Sequence, residues 1–279
     1  MQDKKEKIMK YLDENEKVIL ENIISILDSD NLLKFNFFAL GIRELIRIFI
    51  QRNIEANSDE EDIKNCIWYK KYKQIEDGKE IITRKQRLLY IVFGGLNLQE
   101  VKSNLNINPD EVAKKITDKT NVLNKYTHFN EILSNIENEN IAEEILDSFL
   151  DFLISMDEFK KDFSSRYEDY IMNKYENEIV NIFYDEIDSR ATHFEETYLE
   201  IENIELNKLT SEYVQMQINL NLYVKHQMGS DYDNRIGDGL RFEEKYKILG
   251  KTQIQCDEVF SYKELDIDIK WLGEDIYES

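Results

Sequence analysis

The sequence predicts an α+β protein, a mainly helical N-terminal body followed by a small antiparallel β-domain. Three observations predict it. Apolar residues recur at three- and four-residue steps over most of the first 190 positions, as one buried helix face requires. At about Thr192 the period changes to two: Val214, Met216, Ile218, Leu220 and Leu222 alternate with Gln215, Gln217, Asn219 and Asn221, the mark of a half-buried strand. Turn residues are scarce, with one proline and nine glycines in 279 residues, yet three of those glycines fall within residues 229–239. The expected division is a helical domain over residues 1–190, with a β-hairpin near 71–83, and a β-domain over 191–279.

The first 55 or so residues read as two helices. In the second, Phe35, Phe38, Ile42, Leu45 and Phe49 share one face, and Asp28, Ser29 and Asp30 offer N-cap chemistry before it. Residues 55–62 read as an acidic linker. Residues 71–76 and 79–83 flank Asp77-Gly78, a dipeptide suited to the positive φ angles of a type I′ hairpin turn. Thr83 caps the next helix, and Gly94-Gly95 ends it. Asn108-Pro109-Asp110-Glu111 opens another, with proline at the first helical position and acids at the positive dipole end. That helix is expected to continue toward His128.

Residues 139–187 read as helix almost throughout. Ile145, Phe149, Phe152, Met156 and Phe159 form one stripe, and Tyr167, Ile171, Tyr175, Ile179, Ile182 and Tyr184 populate a following helix. Stripes of this kind are core packing. Beyond the strand at 214–222, residues 198–206 offer another. Phe242, Glu244, Tyr246 and Ile248 share one strand face, as do Leu265, Ile267, Ile269 and Trp271.

Composition excludes several classes. Hydrophobic residues make up 42% of the chain, too many for a disordered segment. Cys66 and Cys256 are far apart without a CxxC pair, which argues against a disulfide framework or zinc site and for a reduced, cytoplasmic setting. The charged start, Met1-Gln2-Asp3-Lys4-Lys5-Glu6-Lys7, lacks the apolar run of a signal peptide, and no stretch reaches the ~18 apolar residues of a membrane span. The formal net charge is −21, which repels phosphate backbones and anionic membranes at long range. A partner with a basic surface, or a complex that supplies positive charge, suits such a chain.

The richest chemistry lies in Gly229-Ser230-Asp231-Tyr232-Asp233-Asn234-Arg235-Ile236-Gly237-Asp238-Gly239. Asp231 and Asp233 have the first two spacings of an EF-hand, but Ile236 stands where its glycine belongs and Phe242 where its bidentate acid belongs, so calcium is excluded. A polymerase-like nucleotidyltransferase needs its acids about ten residues beyond the Gly-Ser, and here Asp231 adjoins it. A metal-dependent nuclease takes an acid from one strand end, then an acid and a lysine on the next strand. Asp231, Asp233 and Asp238 are the candidate metal ligands, and Glu243 with Lys245 forms an E-x-K on one strand face. His226 ends the preceding strand within reach. The plainer alternative is a glycine-rich turn whose aspartates bond their own backbone.

His128 and His193 lack the arginine spacing of helical RNases. Arg43 sits on a mostly apolar helix near Arg47, and Arg84 and Arg87 open a helix, where the dipole disfavours cations. Arginines so placed meet either a phosphate or an internal acid. Arg43, Arg84, Arg87 and Arg235 are therefore the candidate contacts to nucleic acid or a partner.

Several segments, in the same order, resemble one family. They are Phe38-Ala39-Leu40-Gly41-Ile42-Arg43-Glu44-Leu45-Ile46-Arg47, Ile67-Trp68-Tyr69, Thr83-Arg84-Lys85-Gln86-Arg87, Leu123-Asn124-Lys125-Tyr126-Thr127-His128 and the loop from Met228 through Gly237-Asp238-Gly239. Together they are similar to the predicted pPIWI-associating nucleases of prokaryotic conflict, or anti-phage defence, systems. The family's hydrophobic and proline run after Gly-Asp-Gly is replaced here by Arg241-Phe242-Glu243-Glu244-Lys245. The resemblance implies an antiviral role beside other defence-system proteins; the partners expected are those proteins and nucleic acid met inside a complex, with no membrane and room for a homo-oligomer. It implies a nuclease that uses Mg²⁺; the competing reading, with no cofactor, is a non-catalytic interaction or sensor subunit.

Overall fold

The computed structural model describes residues 2–76, 78–127, 138–190, 194–228, 240–260 and 267–272. Within them the chain forms two compact units, Met1–Phe163 and Ser164–Ser279. Helices dominate the first, and a four-stranded antiparallel sheet the second, so the fold is α+β as the periodicities predict.

The first unit begins with three helices rather than two: α1 (Gln2–Met9), α2 (Glu14–Ser25) and α3 (Lys34–Glu55). Asp13 makes the first break. Its side chain accepts from the Glu16 N–H at 2.8 Å, and the Glu16 side chain accepts from the Asp13 N–H at 3.1 Å, a complete capping box. The 28–30 segment does not cap α3. Ser29 closes a short 3-10 turn, and Asn31 Oδ1 takes the Leu33 N–H at 2.8 Å. The face formed by Phe35, Phe38, Ile42, Leu45 and Phe49 is buried throughout.

Much of the acidic segment is ordered as a 3-10 turn, Glu60–Asn65, capped by Asp59. After α4 (Tyr69–Tyr72), strands β1 (Gln74–Glu76) and β2 (Lys79–Ile81) form the hairpin, with Gly78 at φ 73°. The positive φ matches the turn expected there; Asp77 lies outside the described residues. Thr83 and Gln86 form a second capping box at the start of α5 (Arg84–Phe93). α6 (Leu98–Leu105) and α7 (Pro109–Lys119) follow. The helix begun at Pro109 does not run on to His128. It breaks at Thr120, whose N–H and hydroxyl both turn back to the Thr117 carbonyl, and α8 (Asn121–Thr127) starts afresh.

One helix, α9 (Asn138–Arg190), covers the span that the sequence divides into two stripes. No proline or glycine interrupts it. Phe163 and Phe183 are fully buried, in place of Phe159, Ile182 and Tyr184. Further along, Tyr167, Ile171, Tyr175, Ile179 and Phe183 repeat at four-residue steps on one buried stripe.

That stripe faces the sheet of β3 (Phe194–Leu209), β4 (Tyr213–Met228), β5 (Leu240–Gln255) and β6 (Ile267–Leu272), ordered β3-β4-β5-β6. Val214, Met216, Ile218, Leu220, Leu222 and Val224 of β4 are all buried, as their alternation predicts. Gly250 of β5 pairs with Ile218 and lies against the Phe183 ring, where a Cβ would come 2.7 Å from Cζ. β3 slips register three times, between Phe194 and Glu196, Ile201 and Asn203, and Leu206 and Lys208. At the last slip the Leu206 N–H donates to Glu168 Oε1 of α9 at 3.1 Å.

Partial burial holds the Glu168 carboxyl above the ordinary carboxylate range, opposed by the Leu206 hydrogen bond. A raised folded-state value means its contribution is most favourable when protonated and is lost as pH rises. Glu168→Gln keeps an acceptor for Leu206 and removes the charge. Urea unfolding should show it more stable than the parent at pH 7, with the advantage vanishing below pH ~4, where Glu168 itself is neutral. An advantage that grows on acidification would contradict this.

Candidate functional site

Two places carry candidate chemistry, one in each unit. In the second unit β4 and β5 pair without interruption from Tyr213↔Gln255 to Met228↔Leu240. Met228 and Leu240, the residues that flank 229–239, therefore face each other at one end of that pairing. Asp231, Asp233, Asp238 and Arg235 lie in that segment and outside the described residues. His226 pairs with Phe242, Lys225 with Glu243 and Tyr223 with Lys245.

Glu243 and Lys245 are two residues apart, so both positions take the face opposite the Leu222–Tyr246 pair, away from the α9 stripe. There Lys245 is exposed, with Nζ 5.2 Å from the centroid of the Tyr223 ring. The Tyr223 hydroxyl donates to Glu200 Oε2 at 3.0 Å, and its ring lies 5.8 Å from that of Tyr198, which is 61% exposed. The E-x-K lysine thus sits on a small aromatic platform, five ladder pairs from Met228↔Leu240. Among the described residues no group of three or more His, Cys, Asp and Glu could hold a metal ion. His128 and His193 also fall outside them.

In the first unit the arginines singled out in the sequence come together. Arg43 and Arg47 are one turn apart on α3, and Arg84 and Arg87 one turn apart on α5, so each pair shares a helix face. The two helices pack against each other and leave a cavity of about 190 Å³ lined by Arg43, Arg47, Arg84, Arg87, Glu44 and Glu60, with Ile50 and Gln51 completing the wall. Arg47 pairs with Glu44 at 2.8 Å, and Arg87 with Glu60 at 2.5 Å. Among the described residues neither Arg43 nor Arg84 has a carboxylate partner; Arg84 Nη1 donates to Thr120 Oγ1 at 2.9 Å. Burial, then the neighbouring charges of Arg43 and Arg87, hold the Arg84 guanidinium below its usual value. The cluster is therefore short of negative charge, in a chain of net charge −21.

Glu60, Gln51 and Thr120 were not predicted, because nothing in their spacing marks them in an acid-rich chain. The one local signal was the pair of arginines in the first turn of α5, against the helix dipole. Both cysteines are buried thiols, Cys66 Sγ donating weakly to the Gly94 carbonyl and Cys256 Sγ to that of Thr210. Among the described residues no helix is long and apolar enough to cross a membrane.

A family model described as predicted pPIWI-associating nuclease matches residues 9–153. A second model with the same description matches residues 156–270. The chain belongs to this family. Between them the two matches span nearly the whole sequence, one covering the arginine cavity and the other the β4–β5 hairpin with its acidic segment. No curated protein and no solved structure matches the chain. The family resemblance seen in the short segments of the sequence is thus carried by both halves.

Proposed function

We propose that the protein is a Mg²⁺-dependent nuclease working in the cytoplasm as part of a prokaryotic antiviral defence system, beside other proteins of that system. The observation that carries this reading is the unbroken β4–β5 pairing. It joins the two strands that flank a segment with three aspartates, the second of which carries the E-x-K, in a chain whose halves both belong to a predicted nuclease family.

Asp231, Asp233 and Asp238 are the groups that would hold the metal, and a set of hard carboxylate oxygens suits Mg²⁺. The ion would supply positive charge for the phosphoryl oxygens and a more acidic water. Lys245, exposed over Tyr223, would contribute the ammonium of the E-x-K. Glu243 occupies the matching acid position, and His226 lies across the ladder from Phe242.

Asp231→Ala combined with Asp233→Ala should lower Mg²⁺-dependent cleavage of nucleic acid by at least roughly 100-fold, the scale of losses seen around metal sites. It should also abolish phage protection in cells. Undiminished cleavage would sink the catalytic reading. Protection that depends on these residues in a protein with no detectable cleavage would instead support the non-catalytic sensor role, which the arginine cavity also suits.

A further inference from the structure

We propose that the arginine cavity between α3 and α5 is a binding site for a phosphate monoester, the terminal phosphate of a nucleic-acid strand or nucleotide. The inference does not depend on cleavage by the β-unit, since the cavity lies wholly in the first unit.

Charge selects the ligand. Four arginines against two glutamates leave the lining two positive charges in excess. A phosphate monoester carries about −1.5 to −2 at pH 7, whereas a backbone diester carries one negative charge. The arginines also differ in what they have to offer. Arg47 and Arg87 are each engaged by a glutamate. Arg43 and Arg84 have no carboxylate among the described residues, so their planar donor forks are available for a tetrahedral anion. Arg84 is half-buried and held in place by Thr120 Oγ1, and the like charges of Arg43 and Arg87 oppose its own. An anion in the cavity offsets that repulsion.

Shape selects the end of a strand over its middle. The site is a bounded cavity, walled on one side by Ile50, rather than a basic track. A chain of net charge −21 opposes a long run of phosphates, yet a cavity focuses positive potential locally and admits a single group. Its volume of about 190 Å³ accommodates a phosphate with part of its ester substituent.

The test uses the full chain at constant ionic strength with EDTA present, so that cleavage does not intervene. Short oligonucleotides phosphorylated at the 5′ or the 3′ end, and the same strand with no terminal phosphate, are titrated in parallel. The strand with the preferred terminal phosphate should bind about tenfold tighter than the unphosphorylated one, the worth of one charge-assisted hydrogen-bond set. That preference should shrink below pH ~6, where a monoester takes up its second proton. Arg43→Gln, which removes a guanidinium with no carboxylate partner, should erase the preference while retaining the parent's circular dichroism. Arg84→Lys should weaken it, because a point charge replaces the fork.

Competition by a nucleoside monophosphate at equal affinity identifies a free nucleotide as the source; failure to compete identifies a strand end. Inorganic phosphate should raise the melting temperature of the parent but not of Arg43→Gln. Equal affinity for phosphorylated and unphosphorylated strands, or a preference that survives in Arg43→Gln, overturns the proposal. The Asp231/Asp233 double variant should retain the phosphate preference, which separates failure of this inference from failure of the nuclease reading.

Discussion

Arg52→Met should cost about 3 kcal/mol of stability, the lower end of the range for breaking a buried ion pair by removing one partner. Glu16 is only 1% exposed, and its Oε1 accepts from Arg52 Nε at 2.9 Å. The same guanidinium donates from Nη2 to the Tyr11 carbonyl at 3.1 Å and lies 5.1 Å from the centroid of the Phe49 ring. One side chain of α3 thus neutralises a buried charge at the start of α2 and satisfies a carbonyl in the break before it. Methionine keeps the packing on Phe49 and loses both polar functions. Arg52 is 38% exposed, so water relieves part of the penalty, which is why the lower end is expected. Chemical denaturation measures the loss. The decisive comparison adds Glu16→Gln, which should restore much of it, because the cost lies in an unpaired buried carboxylate rather than a missing contact. Purely additive losses would place the origin elsewhere.

Gly250→Val should destabilise the second unit by about 3 kcal/mol, the upper part of the usual cost of overpacking. A Cβ at Gly250 would stand 2.7 Å from Phe183 Cζ and 2.9 Å from Ile267 Cγ2. Phe183 is fully buried, so its ring has no room to retreat. At roughly 3 °C per kcal/mol for a unit of this size, the melting temperature should fall by about 10 °C. Phe183→Leu in the same molecule shortens the obstructing ring. Its own cavity cost should then be partly cancelled, giving a double variant more stable than the sum of single effects predicts. A Gly250→Val protein that melts like the parent would mean that the sheet and α9 do not approach this closely.

The parts of the fold legible in sequence are those where one periodicity runs long enough to be unambiguous. The alternation of Val214 through Leu222 could only be a half-buried strand, and it is the central strand β4. Thr83 with Gln86 and Asp77-Gly78 carry their own local chemistry, and the described residues around them follow it. What failed was end-to-end continuity. A residue such as Asp13 or Thr120 ends a helix through hydrogen bonds that compete narrowly with the next helical turn, and that balance depends on neighbours such as Arg84. In α9 the reverse occurred: a single helix passes through a change of stripe, because packing partners change along it while the backbone does not.

The arginine cavity shows the same limit. Each helix announces its own pair by spacing, but that Arg43 and Arg84 share one cavity follows only from the packing of α3 on α5. Glu60, arriving from the capped 3-10 turn, had no signal at all. In the β-unit alternation told which residues share a face, but the register of β4 against β5 follows only from the structure. The aspartates of 229–239 lie outside the described residues, so their geometry stays with the proposed function.

The three register slips of β3 have a consequence for how copies of this chain meet. β3 is an outer strand of sixteen residues, long enough to recruit a foreign strand along its open side. Each slip interrupts the even row of amides and carbonyls that such recruitment copies, and Glu168 occupies the Leu206 amide at one of them. Glu200, Glu202 and Glu205 add like charges that a second β3 would bring face to face. These slips and charges work against polymerisation through this edge, and so against amyloid-like stacking of one sheet on the next.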